Sequence, residues 1–323
     1  MMDSNMTTLK ILKKSLNNNY LITLAIGTGY LQKFELTVLN SWIAYAEKHN
    51  CGIIVIVKDL VPKSSVHWKK PTWQKMLIGE TILEKVPDVD ILCYLDTDVL
   101  INPSAPNVFE EFVSGKIGVV SLRSNLPFDY DETLKRLALL RHRYLDDAYP
   151  LDSALFIGIE SLYKAHNLSS QKDEFCAGFL LFRPSEMAQI MKEWFYLYDK
   201  SVESITDNGD QTHLNYHIQN NNLENFITYN YQAIWAFEVA NYYSFLFMNR
   251  FKDIALYHEC IKSSLFRVYF LHFAGSWTES STFSMHAFEL GDAYLNLFKE
   301  YSSYLGQSVT GEPLGTIKPK EFD

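Results

Sequence analysis

At 323 residues with 47% hydrophobic content, the chain suits one large α/β domain or two smaller ones, with ample material for a packed core. A net charge of -9 argues against general nucleic-acid binding, which needs clustered Lys and Arg to neutralise phosphates. The four cysteines form no CxxC pair and no run of about 20 apolar residues occurs, which disfavours a zinc ribbon, a redox motif and a transmembrane segment. The first residues lack a secretory apolar region, so the expected home is a reducing cytoplasm. The 15% aromatic share fits a bulky core, with sugar-stacking surfaces as the alternative.

In chain order, 20–26 reads as a buried strand that runs into Gly27-Thr28-Gly29. Apolar residues near helical spacing (Phe34, Val38, Trp42, Tyr45) predict a helix over 31–49. The β-branched run 53–57 reads as a second buried strand, and 73–85 as a helix stopped by Pro87. Third and fourth strands follow at 91–95 and 117–120. This alternation predicts an α/β fold: a doubly wound, mostly parallel sheet covered by helices on both faces.

Beyond residue 120 the pattern loosens. A basic helix is expected over 131–144, where Lys135, Arg136, Arg141 and Arg143 form a solvated face, with contact to an acidic acceptor or lipid headgroup as the alternative. A short strand at 179–182 is ended by Pro184, and an amphipathic helix spans 185–199. Asn208-Gly209 marks a turn, 211–218 a helix, 268–273 a late strand and 285–304 a terminal helix. No repeat or linker is visible. The expectation is therefore a single domain over 1–305, with helical elaboration in its second half, and an extended tail over 306–323.

Chemistry concentrates at ILCYLDTDVLI, where Asp96 and Asp98 end an apolar run. In open α/β sheets ligands bind beyond the carboxyl ends of the strands. Residues two apart in extended chain share a side, so the two carboxylates repel unless a cation joins them. Oxygen ligands suit Mg²⁺ or Mn²⁺, with phosphates of a ligand completing the shell. The alternative is a solvated turn carrying two surface acids. Asp88-Val89-Asp90 and Asp129-Tyr130-Asp131 fit the same pattern, but one precedes the strand and the other leads into a helix.

With its surroundings, LDTDVLI resembles the D-x-D region of GT-A-type glycosyltransferases, nucleotide-sugar enzymes built on a doubly wound sheet. LAIGTGYLQKF resembles their first strand and nucleotide-binding loop, and PTWQKMLIGETIL the helix before the D-x-D. FCAGFLLF and DQTHLN look like the acceptor and donor-sugar segments of family 8. LHFAGSW resembles the late metal-binding His motif of families 8 and 34. The order of all five segments agrees.

The resemblance implies a metal-dependent transfer of a sugar, with retention, from a nucleotide sugar to a hydroxyl acceptor such as a glycan. The donor is expected to be a UDP-sugar and the metal Mn²⁺, or Mg²⁺ in its place. About 20–120 would then be the nucleotide-binding half and 121–305 the acceptor and metal-completing half. The metal ligands would be Asp96, Asp98 and His272. Ala25, Ile26, Gly27, Thr28, Tyr30, Lys75, Asp96, Thr97, Gly275 and Trp277 would bind the donor nucleotide. Asp210 and Gln211 would face the donor sugar as catalytic residues, while Ala177 and Gly178 would flank the acceptor or sugar.

Two departures stand out. Ser276-Trp277-Thr278 follows HFAG where family 8 commonly has a lysine, which leaves Lys75 as the candidate to neutralise phosphate or, alternatively, an ordinary surface lysine. Cys176 stands where the relatives usually have Asn. His213 and His217 are four apart, but Leu214 rules out an H-E-x-x-H protease. Gln32 breaks a G-x-G-x-x-G fingerprint, so a dehydrogenase is disfavoured. The remaining alternatives are a nucleotidyltransferase on a similar sheet, which has only Lys33 near its first loop, and a non-catalytic sugar-binding module.

Overall fold

The computed structural model describes residues 8–27, 29–144, 156–206, 209–247 and 254–274. In chain order they form β1 (Leu9–Lys13), β2 (Tyr20–Leu24), α1 (Tyr30–Thr37), α2 (Leu39–Lys48), β3 (Gly52–Ile56), α3 (Pro71–Gln74), α4 (Ile78–Lys85), β4 (Leu92–Leu95), β5 (Val99–Ile101) and β6 (Ile117–Val119). Then come α5 (Tyr130–Tyr144), α6 (Ile159–Ala165), β7 (Phe179–Phe182), α7 (Pro184–Tyr196), α8 (Gln211–Asn220), β8 (Glu224–Phe226), β9 (Ala233–Ile234), α9 (Trp235–Tyr242), α10 (Ile254–Leu265) and β10 (Phe270–His272). The helix expected over 285–304, the tail, Thr28, Gly275 and Trp277 lie outside the described residues. Among the described residues, no helix is long and apolar enough to cross a membrane.

Seven strands form a sheet in the order β1-β3-β2-β4-β7-β6-β8, and three form a second in the order β5-β10-β9. The parallel unit expected from the first half is β3-β2-β4. The second half adds β7 antiparallel to β4 and to β6, then β8 parallel to β6, and β1 runs antiparallel along the β3 edge, so the α/β sheet is mixed. Hydrophobic period reports burial of a strand and not its direction, which is why this balance is invisible in the pattern.

Alternation along each strand feeds two cores. Leu21, Ile53, Val55, Cys93, Leu95, Phe179 and Leu181 face one, with Phe34, Trp42 and Tyr45 of α1 and α2 and Trp235 of α9. Ile22, Ile54, Ile56, Leu92, Tyr94, Leu180 and Phe182 face the other, with Trp73, Ile78 and Ile82 from the 71–85 segment, Met191 and Phe195 of α7, and Leu214 of α8. Burial on both faces is what continuous apolar strands require.

Two expected helices are divided. The one predicted over 31–49 breaks at Val38 (φ -117°, ψ -19°) into α1 and α2. Thr37 Oγ1 bonds back to Lys33 O and Ser41 Oγ to Val38 O, both at 2.6 Å, the kind of competition that bends helices. The one predicted over 73–85 begins earlier, with Pro71 in its first turn, and tightens into a 3₁₀ turn at Lys75–Leu77. Lys75, the first residue of that turn, is buried.

Candidate active site

β4 lies between β2 and β7, and the turn Asp96-Thr97-Asp98 carries the chain from the seven-stranded sheet into β5 of the small one. Asp96 N donates to Gly178 O at 3.1 Å. Tyr94 OH donates to Asp96 Oδ1 at 2.5 Å, which leaves Oδ2 facing outward from that bond. β10 runs antiparallel to β5 with His272 opposite Val99, and Phe273 N donates to Asp98 O at 3.1 Å. This register sets His272 Nε2 at 3.1 Å from Asp98 Oδ1 and 3.7 Å from Asp96 Oδ2.

One ligand atom from each of Asp96, Asp98 and His272 lies within 4.8 Å of the others, and among the described residues this is the one group of its kind. Two carboxylate oxygens and an imidazole nitrogen suit a first-row divalent cation. The imidazole is buried while both carboxylates keep partial exposure, at 34% and 25%, so the cluster opens on one side. Burial works against a charge on His272, but Asp98 and Cys176 together outweigh it and hold the imidazole well above its ordinary range.

Gly178 closes the back of the cluster. A Cβ there would stand 2.4 Å from His272 Cε1 and 2.6 Å from Asp96 Oδ2, closer than real contacts allow, so only glycine fits. The other two D-x-D matches are structural, as their contexts suggested. Asp90 pairs with Arg183 at 2.8 Å, and Asp129 accepts from Glu132 N at 2.8 Å ahead of α5.

Behind the turn lies a buried cation. Lys75 Nζ donates to Ala177 O at 2.8 Å and lies 3.3 Å from Asp210 Oδ2, 3.9 Å from Asp96 Oδ1 and 5.1 Å from the centre of the Tyr94 ring. It is 2% exposed and not a surface lysine. Burial opposes its charge, yet Asp210 and Asp96 raise its pKa above the ordinary value. The Asp210 carboxyl is pushed up to about 6 by burial, against the pull of Lys75. Asp210 precedes the first turn of α8 without capping it through its side chain, and its carboxylate faces the lysine.

Gln211 has both ends of its amide engaged. Its oxygen accepts from Ala177 N at 3.3 Å, and its nitrogen donates to Glu174 Oε1 at 2.7 Å. Arg123 fixes the other oxygen of Glu174 at 2.9 and 2.7 Å. Ala25, Ile26 and Gly27 leave β2 at the same sheet edge as the carboxylate turn, because β2 and β4 are parallel and in register. Gly27 has φ +110°, open to glycine, and Tyr30 is 57% exposed beside it. Tyr94, Glu174 and Gln232, which touches His272, are polar groups that sequence reasoning missed. Only the placement of Tyr94 two residues before Asp96 in an alternating strand could have signalled one of them.

Residues 21–244 match the galactosyl transferase GMA12/MNN10 family, glycosyltransferase family 34, a span of 224 of the 323 residues. The chain belongs to this family. As a member of the GMA12/MNN10 family it is a glycosyltransferase of the hexosyl class, and a sugar donor and an acceptor are its substrates. The family match contains Asp96, Asp98, Gly178 and Asp210 and stops before His272. Among solved structures, a glycosyltransferase involved in the glycosylation of the major capsid of PBCV-1 is similar at TM-score 0.48 and 11% identity, over 84% of this chain and 98% of that one. Galactosyltransferase LgtC in complex with donor and acceptor sugar analogues is similar at 0.46 and 16%, over 91% and 98%. No curated protein matches the chain.

Proposed function

We propose that this GMA12/MNN10-family member moves a hexosyl unit from a UDP-sugar to a hydroxyl of a glycan or related acceptor, with retention, using Mn²⁺ or, in its place, Mg²⁺. The observation that carries the reading is the meeting of Asp96, Asp98 and His272 from two different sheets at the rim of a parallel unit. A divalent cation held there supplies neutralisation of the charge that develops on the leaving diphosphate.

The chain's own groups divide the remaining work. Ala25, Ile26, Gly27 and Tyr30 receive the base and ribose at the sheet edge, together with Thr97 of the carboxylate turn. Lys75 holds Asp96 and Asp210 in place and contributes positive potential toward the diphosphate. Asp210 forms the wall that faces the donor sugar. Gln211 fixes the Ala177-Gly178 backbone against which sugar and acceptor meet. The acceptor oxygen bonds to the anomeric carbon as the bond to the β-phosphate oxygen breaks, and the acceptor proton passes to that phosphate oxygen. Asp210, paired with Lys75, orients the sugar and does not attack it.

The test is Mn²⁺-dependent release of UDP from a panel of UDP-sugars, with water or simple glycosides as acceptors. Asp98→Asn is expected to lower turnover by about 100-fold or more, the scale seen when a group stabilising developing charge is lost. His272→Ala is expected to raise the Mn²⁺ concentration needed for half-maximal rate. Asp131→Asn, in the unrelated D-x-D match, serves as the control and should leave both unchanged. Turnover unaffected by Asp98→Asn removes this cluster from the reaction. Binding of UDP-sugars with no turnover on any acceptor, water included, supports the sugar-binding module instead.

A further inference from the structure

Gln232 is 1% exposed and ends a 3₁₀ turn (Tyr229–Gln232) immediately before β9. β9 runs parallel to β10 with Ile234 beside His272. The Gln232 carboxamide therefore lies under the imidazole, on the side away from the two aspartates. Its neighbours fix which way it points. Phe179 N–H and His272 Nδ1 each lie 3.1 Å from one end of the amide, and Cys176 O lies 3.3 Å from the other. A backbone N–H must meet an acceptor and a backbone carbonyl must meet a donor. The amide oxygen thus faces Phe179 N and Nδ1, and the amide nitrogen faces Cys176 O. The reverse orientation would oppose donor to donor and acceptor to acceptor at once.

We propose that Gln232 is a positioning residue that fixes the tautomer of His272 for metal ligation. This rests on the metal reading of Asp96, Asp98 and His272. An acceptor facing Nδ1 keeps a proton there, so Nε2, which faces the carboxylate cluster, is the nitrogen that would give up its proton to a cation. The Cys176 thiol, with Sγ 3.6 Å from Nδ1, is a much weaker second neighbour. The amide also ties the two sheets together, because Phe179 belongs to the large one and His272 to the small one. A single buried side chain thereby sets the chemistry and the seat of the third ligand.

The experiment measures binding of Mn²⁺ alone to the full chain, by electron paramagnetic resonance of the free ion, with no donor or acceptor present. Gln232→Leu keeps the approximate volume and removes the acceptor. It is expected to weaken Mn²⁺ binding about 10- to 100-fold, the range for loss of such an outer partner. Gln232→Glu restores an acceptor and is expected to recover most of the affinity, which a purely space-filling role would not do. Binding by the folded Leu variant within about twofold of the parent overturns the proposal, as does a Glu variant as weak as the Leu one. Should Gln232→Leu fail to fold, ¹⁵N resonances of labelled histidine in the unsubstituted protein loaded with Mg²⁺ decide the matter. A proton on Nδ1 of His272 supports the assignment, and a proton on Nε2 overturns it. An unsubstituted chain that binds no divalent ion ends the metal reading and this proposal together. Binding that is indifferent to Gln232 ends only the proposal.

Discussion

Gly178 has no room for a side chain because His272 and the Asp96 carboxylate converge on it. Gly178→Ala would drive a methyl into His272 Cε1 and the Asp96 carboxylate, both inside 3 Å. Overpacking of this kind costs about 1–3 kcal/mol. We expect the variant to fold with a lowered melting temperature and to lose Mn²⁺-dependent shift by UDP. Full metal response in Gly178→Ala would show that the cluster relaxes without loss, and that the closeness is incidental. Single residues were unevenly legible in the sequence. Asp96 and Asp98 announce themselves, since two carboxylates at the end of a buried run demand an explanation. Lys75 was legible as a candidate but not as a buried group, because its burial depends on Ala177 and Asp210, distant in the chain. Nothing in the local pattern around Gln232 or Glu174 separates a polar residue under a site from one on a surface.

At the scale of elements, α8 shows how a helix can look functional and serve the core. His213 and His217 lie on its buried side among Trp73, Trp194 and Tyr198, with Tyr198 OH 2.8 Å from His217 Nε2. Burial pushes His213 down to about 3 and His217 down to about 4. The unfolded chain protonates both near pH 6.5. Stability from these groups is complete above that value. It falls as the pH drops toward about 4, where the unfolded chain takes up protons that the fold refuses. The slope is up to ~1.4 kcal/mol per pH unit for each imidazole. Asp210, raised to about 6, and Glu238 and His272, both also raised, act in the opposite sense across parts of this window, so the two imidazoles are read as a difference between variants. From pH 7 to 4 the denaturant midpoint of the parent should fall relative to that of a His213→Gln, His217→Gln variant. Equal slopes would mean that the fold accepts these protons. The divided helices carry a related lesson. Apolar spacing predicted their approximate extents, whereas neither the break at Val38 nor the 3₁₀ turn at Lys75–Leu77 shows in that spacing.

Across the whole molecule, the cluster joins a seven-stranded sheet to a three-stranded one, so a bound cation is a link that the unfolded chain lacks. Mn²⁺ at 100 times its dissociation constant should add about 2.7 kcal/mol of stability. We expect Mn²⁺ to raise the melting temperature by several degrees and a chelator to reverse the rise, with the Asp98→Asn protein indifferent to both. Stabilisation that persists in Asp98→Asn would place the ion elsewhere. By itself the sequence determined the buried strands β2, β3, β4 and β7, the helices that cover them and the seat of the paired carboxylates. Each of these follows from short-range spacing and from the cost of burying polar groups, which a run of ten or so residues already contains. The tertiary structure alone decided that β7 runs antiparallel to β4, that β5 leaves for a second sheet, and that His272, Gly178 and Lys75 meet Asp96. Those outcomes depend on register between segments far apart in the chain, and hydrophobic period is the same whichever partner a strand finds.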